Sequence, residues 1–292
     1  MIADVPPPST HSRVRQFGVR FRWTVVGLLA ILNIWGLSVY RQETSQLAQL
    51  SHSLVEGVPD QESQVEQLVS WVCHKTATTR PNVSFLMPVF APLRPTAWQV
   101  AQHGGDCSYK ARLFIVLARH LDIPARKVAL FQPDGESTHA VAVAETDSGE
   151  MVCDLLFGTI YRHENGALVR LAELKGNTEL LQECLAREAS QGNRLAAKYP
   201  VNKYSYFDPK TINWSKLPGG QWLHAGLARL LGPTAADTLP LPYLMNEPAL
   251  IVFSASMAVV GLLLFPKFGL GKRNSTPVTE PVTTALKPSS MA

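Results

Sequence analysis

The sequence predicts an α+β domain held between two transmembrane helices. Three observations lead to this prediction. Uncharged apolar windows stand at 23–40 and 249–265. Between them, apolar residues recur at helical spacing up to about residue 121, and at every second position after Pro124. Helices followed by strands that pair with their sequence neighbours are typical of an α+β fold.

The two apolar windows are just long enough to span a bilayer. The chain is 46% hydrophobic and 17% charged, more apolar than an average soluble protein. The alternatives are a cleaved signal peptide for the first window and a buried core helix for the second. Tyr40 occupies the position where a signal peptidase needs a small residue, which argues against cleavage.

Charges beside the windows predict the orientation. Basic residues precede the first window and follow the second, namely Arg13, Arg15, Arg20, Arg22, Lys267, Lys272 and Arg273. Positive charge favours the cytoplasmic side, so both termini are expected in the cytoplasm and the intervening domain in a periplasm or extracellular space. The net charge of +4 includes these clusters and gives no reason to expect a nucleic-acid partner.

The predicted organisation therefore has five parts. A cytoplasmic tail at 1–22 precedes a transmembrane helix at 23–40 and an extracytoplasmic domain at 41–247, followed by a second transmembrane helix at 248–266 and a disordered cytoplasmic tail at 267–292. The core of the domain is expected at about 61–165, with a helical extension close to the membrane.

Within the domain, helices are predicted at about 61–77, 96–102, 107–121 and 178–197, and strands at "RKVALF", "HAVAVAE" and "MVCDLLF". The helix at 107–121 is apolar on so many sides that it is expected to be central and buried. The stretch "GGQWLHAGLARLLG" predicts an amphipathic helix that lies either on the membrane surface or against the domain.

Cys107 begins the central helix, directly after Gly104, Gly105 and Asp106. Unpaired backbone N–H groups and the positive end of the helix dipole favour a thiolate there. The glycines would let a substrate approach the sulfur closely, and Asp106 is expected to cap the helix. The alternative is that Cys107 is a small buried apolar residue without a chemical role.

His139 and Asp154 are the candidate partners of Cys107. His139 opens a strand, and Asp154 is an acid among apolar residues, which needs a partner because an unpaired buried carboxylate is costly. Cysteine as nucleophile, histidine as acid and base, and aspartate as the group that orients the histidine form a catalytic triad for acyl transfer. We expect direct pairing of His139 with Asp154 to require a turn centred between Thr146 and Asp147, or a bulge.

These motifs carry a family resemblance. "GGDCSYKARLFIVLARHLDIPARKVALF", "HAVAVAE" and "VCDLLFG", from about Pro95 to Gly158, resemble the transglutaminase-like superfamily and in particular bacterial membrane-anchored transglutaminase-like cysteine peptidases. The resemblance implies a papain-like core of helices packed on an antiparallel sheet. It also implies Cys107 as nucleophile, His139 as base and Asp154 as orienting acid, acting on amide carbonyls without a cofactor. The residues after His139 and Asp154 depart from the family pattern.

Other chemistries and roles stay open. A zinc site is the rival chemistry, with candidate ligands His103, Cys107, His120 and His139, although their spacing is not that of a metal motif. The oxyanion hole is expected to combine the backbone N–H of Cys107 with a side chain among Trp98, Gln99 and Gln102. Two of the cysteines could form a disulfide outside the cytoplasm.

The expected function is hydrolysis of a peptide or isopeptide bond in a protein or peptide substrate of the cell envelope. An acyltransferase that modifies an envelope protein or polymer would use the same residues. A catalytically silent binding module of an envelope complex would keep the fold alone.

Overall fold

The computed structural model describes residues 10–78, 95–217, 219–239 and 243–264. The predicted α+β class with an antiparallel sheet is confirmed for these residues. The predicted C-terminal tail at 267–292 and the first nine residues of the N-terminal tail lie outside the described residues.

The first helix, α1, runs from Thr10–Leu54 and is longer than the sequence predicts. It continues past Tyr40 because the next helix-breaking residues are Gly57 and Pro59. Its last turns pack on the domain, where the buried Ser51 hydroxyl donates a 2.7 Å hydrogen bond to the Leu117 carbonyl. Within the described part of the chain, one helix is long and apolar enough to cross a bilayer, over Arg20–Leu54.

Three helices follow α1 and form one side of the domain. They are α2 (Gln61–Lys75), capped by the Asp60 carboxylate, α3 (Ala97–His103), capped by Thr96, and α4 (Cys107–Arg119). Every residue of α4 from Tyr109 to Ala118 is buried, so the predicted central helix is confirmed.

The described residues form a five-stranded antiparallel sheet in the order β4-β3-β2-β1-β5. The strands are β1 (Ala125–Phe131), β2 (Ser137–Thr146), β3 (Gly149–Asp154), β4 (Thr159–Ile160) and β5 (Asp208–Lys210). The sequence predicts the first three. The strands β4 and β5 are too short to show a period, and β3 ends earlier than predicted because the chain turns after Asp154.

Both faces of the sheet are covered. After β4 come α5 (Leu171–Leu174) and α6 (Thr178–Ser190). The helix α6 ends before the predicted residue 197, since Gly192 follows with φ 101°, in the left-handed region. One face packs on α2 and α4 through Ala142, Ala144, Met151 and Cys153, and the other packs towards α6 through Val128, Val141, Val143 and Val152. Two covered faces explain why both sets of alternating residues in β2 are apolar.

The last three α-helices of the described residues are α7 (Gly220–Leu231), α8 (Pro233–Thr238) and α9 (Pro248–Leu264). The apolar helix α9 lies antiparallel to α1. Arg22 donates a 3.2 Å hydrogen bond to the Leu264 carbonyl, and the Ser256 hydroxyl donates to the Asn33 side-chain oxygen. With 17 residues, α9 is shorter than the span found in α1, so the second transmembrane helix stays a prediction.

The start of α9 is fastened to the central helix. The buried Arg112 of α4 donates hydrogen bonds to the Asn246 carbonyl, at 2.9 Å, and to the Pro95 carbonyl, at 3.2 Å. Next to Asn246, the Tyr243 hydroxyl donates to the Glu247 carboxylate at 2.8 Å. Burial raises the pKa of Glu247. The helices that carry the two apolar windows therefore join the domain through α4.

Candidate functional site

Cys107 lies at the first turn of α4 and is half-buried. The predicted cap is confirmed, because the Asp106 carboxylate accepts a 3.1 Å hydrogen bond from the Tyr109 N–H. The sulfur therefore stands at the amino end of a helix that is packed into the core. Cys73, Cys153 and Cys184 are buried, and none of the four cysteines is in a disulfide.

Gly104 and Gly105 are required by packing against the end of α2. The Gly105 N–H donates a 2.9 Å hydrogen bond to the Ala77 carbonyl. At Gly104, with φ 84°, an added Cβ would collide with the same carbonyl, and at Gly105 it would lie 2.6 Å from the Tyr109 Cβ. The glycines therefore let the loop before Cys107 sit directly on the backbone after α2.

The register of β2 and β3 decides how His139 and Asp154 meet. Thr146 pairs with Gly149, so the hairpin turn is formed by two residues, Asp147 and Ser148. Extending this register sets Asp154 opposite Val141, on the sheet face of His139 and diagonal to it. Our expectation of a different turn centre or a bulge was wrong, because diagonal neighbours on one face are within side-chain reach.

His139 and Asp154 form a fully buried pair. The His139 Nε2 and the Asp154 Oδ2 are 2.7 Å apart, and both side chains have no exposed surface. The other carboxylate oxygen accepts hydrogen bonds from the Leu156 N–H, at 3.0 Å, and the Phe157 N–H, at 3.2 Å. These bonds hold the carboxylate in place and leave its second oxygen to the imidazole.

The His139 imidazole is held in its protonated form. Burial alone would lower its pKa, but the charge and hydrogen bond of Asp154, together with Cys107, raise it to about 10. Cys107 thus lies close enough to act on the ring. The structure nevertheless forms no hydrogen bond of standard geometry to the buried Nδ1. Nδ1 is therefore the ring atom left for the sulfur or a substrate.

Three aromatic rings surround His139, and sequence reasoning did not single them out. Tyr204 stacks on the imidazole, with ring centroids 4.4 Å apart and planes at 14°. Phe157 and Tyr199 meet it edge-on, with centroids at 6.0 and 6.3 Å. Aromatic density in "NKYSYFDPKTINW" was the available signal for Tyr204, but it does not say which strand that ring approaches.

Lys110, one turn after Cys107, is a second residue that the sequence did not single out. Its ammonium is buried and donates to the Cys73 carbonyl, at 3.1 Å, and to the Thr78 hydroxyl, at 3.3 Å. Burial lowers the pKa of Lys110, opposed by the charges of Cys73 and Asp154. The signal in the sequence was a lysine in a mostly apolar helix. It ties the start of α4 to the end of α2.

The candidate metal ligands and oxyanion donors are placed as follows. His103 ends α3 and His120 follows the last turn of α4, at the opposite end from Cys107. No group of three or more His, Cys, Asp or Glu residues suited to a metal ion is present among the described residues. The Gln99 side chain accepts a 3.0 Å hydrogen bond from the Thr96 N–H and so belongs to the cap of α3.

A comparison of the sequence with protein families covers both the core of the domain and part of the candidate site. Residues 48–151 match the model of the Transglutaminase-like superfamily. This segment is a transglutaminase-like domain. The resemblance predicted from the sequence is thereby confirmed, and the match supports a function of the cysteine-enzyme kind. The transglutaminase-like segment contains Cys107 and His139 and stops three residues before Asp154.

Comparison with solved structures gives one further similarity. A crystal structure of a "Putative Cysteine Protease" from Cytophaga hutchinsonii aligns with a TM-score of 0.32 and 20% sequence identity. The alignment covers 43% of this chain and 40% of that chain. The search among curated proteins found no significant match.

Proposed function

We propose that this protein is a membrane-anchored cysteine hydrolase of the transglutaminase-like kind, acting on peptide or isopeptide bonds in the cell envelope. Cys107 is the proposed nucleophile, His139 the proton carrier and Asp154 the residue that orients His139. The proposed substrate is a protein or peptide, and no cofactor takes part.

One observation carries this proposal: Cys107 lies close enough to the buried His139 ring to act on it, and the buried Nδ1 has no other hydrogen-bond partner, while Nε2 is bound to Asp154. A buried polar atom without a partner costs about 1–3 kcal/mol. Such an atom is typical of a site that waits for another group. The protonated ring beside Cys107 also supplies a positive charge that favours the thiolate.

The proposed reaction has two steps. In the first, the Cys107 thiolate attacks the carbonyl carbon, the C–N bond breaks, and His139 gives its Nδ1 proton to the leaving amine, which leaves a thioester. In the second, His139 takes a proton from water as the water attacks the thioester. The carboxylic acid is released, and the thiolate and imidazolium are restored. Asp154 stays ionised and keeps the ring in position.

The pairing of α1 with α9 supports the membrane part of the proposal. Two antiparallel spans would set both chain ends on one side of the bilayer, as the flanking charges predict. The contact of Asn33 with Ser256 is a polar contact between apolar helices, which holds transmembrane helices together. We therefore propose that α9 is a second span and that the domain lies outside the cytoplasm.

The exposed face of α7 fits a bilayer surface. Trp222 is 85% exposed and Leu230 is 81% exposed, with Leu223 and Leu231 also exposed on the same helix. The His224 side of α7 faces α8, where it contacts Asp237 at 3.1 Å. A helix with this apolar face towards solvent favours the membrane-surface alternative over packing on the domain.

Alkylation of Cys107 tests the chemistry. With the full chain in detergent near pH 7, we expect iodoacetamide to modify Cys107 first, and His139→Ala to slow that reaction at least tenfold. The double variant Cys107→Ala, Ser108→Cys is the matched control, since it keeps a thiol at the same helix end. Equal sensitivity of both thiols to His139→Ala would contradict the proposed pairing.

Envelope material separates the possible reactions. Cells with the wild-type chain and cells with Cys107→Ala should differ in one envelope species, which stays uncleaved in the variant. A product joined to an amine would instead identify an acyltransferase. Identical material would identify a silent binding module.

Reporter fusions test the topology. Reporters fused at each terminus should both lie in the cytoplasm, and a C-terminal reporter outside the cytoplasm would show that α9 is not a second transmembrane helix.

A further inference from the structure

Tyr204 belongs to a segment that is fastened across the site. We define residues 199–206 as the strap. The Thr138 hydroxyl, next to His139, donates a 2.8 Å hydrogen bond to the Lys203 carbonyl. The Ser205 hydroxyl donates to the Gln132 side chain at 3.0 Å. The strap is therefore attached to β1–β2 on both sides of Tyr204.

The strap also fixes Tyr204 from within. The Tyr199 hydroxyl donates a 2.9 Å hydrogen bond to the Tyr204 carbonyl, and the Tyr206 carbonyl accepts a 2.9 Å bond from the Gly176 N–H. The Tyr204 ring then lies nearly parallel to the His139 ring, at 4.4 Å. Burial, and then the charges of Cys107 and Asp154, raise the pKa of Tyr204. Tyr204 therefore lies close to the proposed reacting groups.

We propose that Tyr204 is a positioning residue, which fixes the plane of the His139 imidazole and keeps water away from its contact with Asp154. This inference rests on the proposed function. The ring of Tyr204 covers one face of the imidazole, and the edge contacts of Phe157 and Tyr199 confine it from other sides. Rotation of the imidazole out of its plane would break the stack, while the bond from Nε2 to Asp154 decides which edge of the ring carries Nδ1.

Stacking also accounts for the buried charge. A protonated imidazole is stabilised by the face of an aromatic ring. Water at that face would screen Asp154 and weaken its hold on the imidazolium. The hydroxyl of Tyr204 takes no part in either effect, because the contact is through the ring. A phenylalanine at this position should therefore serve as well as tyrosine.

Direct titration of His139 tests this inference. Histidine ring signals of ¹⁵N-labelled full chain in micelles would be followed against pH in a Cys107→Ala background. We expect Tyr204→Phe to leave the His139 midpoint unchanged and Tyr204→Ala to lower it by about one unit or more, because water then reaches the pair. An unchanged midpoint in Tyr204→Ala would overturn the inference.

The matched control is Tyr206→Phe. Tyr206 lies in the same strap, but its ring meets Tyr161, with centroids 5.6 Å apart, and not His139. It should leave the His139 midpoint unchanged, and a shift as large as that of Tyr204→Ala would also overturn the inference. Continued resistance of the buried Cys153 to alkylation would show that each variant is folded.

Alkylation of Cys107 then separates this inference from the proposed function. In chains that retain Cys107, Tyr204→Ala should slow the alkylation of Cys107 by iodoacetamide about tenfold near pH 7. Tyr204→Phe should react at the wild-type rate. Failure of His139→Ala to slow the wild-type sulfur would refute the proposed function. The His139 titration would still decide the role of Tyr204, because its readout does not depend on the sulfur.

Discussion

Two histidine–carboxylate pairs of the domain differ in their surroundings. His139 and Asp154 are 2.7 Å apart, with no exposed side-chain surface. His163, just after β4, is 3.2 Å from Glu173, and these side chains are 38% and 45% exposed. Exposed pairs are typically worth about 0–1 kcal/mol, whereas breaking a buried pair costs about 3–5 kcal/mol. A histidine beside a carboxylate is therefore not enough to indicate a functional site. The burial of the pair and the neighbouring Cys107 sulfur distinguish His139 and Asp154.

The largest effect should separate the two histidines by activity. His139→Ala is expected to slow processing of the envelope species that accumulates with Cys107→Ala by roughly 100- to 10,000-fold, because general acid–base catalysis is lost. His163→Ala should change the rate by less than about twofold. The measurement is the rate at which that species disappears from isolated envelopes. Equal losses in both variants would contradict the assignment of His139.

The next effect should separate the two carboxylates by stability. Asp154→Asn leaves the buried imidazole without its anion, so we expect a loss of about 3–5 kcal/mol, or roughly 10 °C in Tm. Glu173→Gln should shift Tm by no more than about 2 °C. Thermal unfolding in detergent, followed by near-ultraviolet circular dichroism, gives both values. A small shift for Asp154→Asn would mean that the pair is solvated.

The pH dependence sharpens the same comparison. In the folded chain, the pKa of His139 is about 10, above the ordinary value of 6.5. The stabilisation from its proton is therefore fully present below about pH 6.5 and is lost as the pH rises towards about 10. We expect the stability difference between wild type and His139→Gln to fall across this window, measured by chemical unfolding.

Cys107, His139 and Asp154 could be selected from the sequence because local rules act at each position. A helix start at Cys107 follows from Asp106 and the preceding glycines, and the strand at His139 follows from its alternation. The meeting of His139 with Asp154 depends on a turn of two residues, and a shift of one residue in that turn moves Asp154 to the other face. Sequence patterns do not determine the position of a turn to within one residue.

Other parts of the site arise from contacts between distant segments. Tyr204 stands 65 residues after His139, and its stack depends on how the chain returns after α6. Lys110 could be recognised as unusual in an apolar helix, but its acceptors lie on α2 and after it. The strand β5 has three residues, one of which is Pro209, so it is too short to show an alternation in the sequence.

The continuous helix α1 has a consequence for what this domain can reach. Between Tyr40 and Leu54, about 14 residues of unbroken helix add roughly 20 Å of length. The far end of this rod is bonded to the central helix through Ser51. With α1 inserted in a bilayer, the Cys107 thiol would lie at a fixed distance above the lipid headgroups. Only bonds presented at that height would be cut, so distance from the membrane would itself select the substrate.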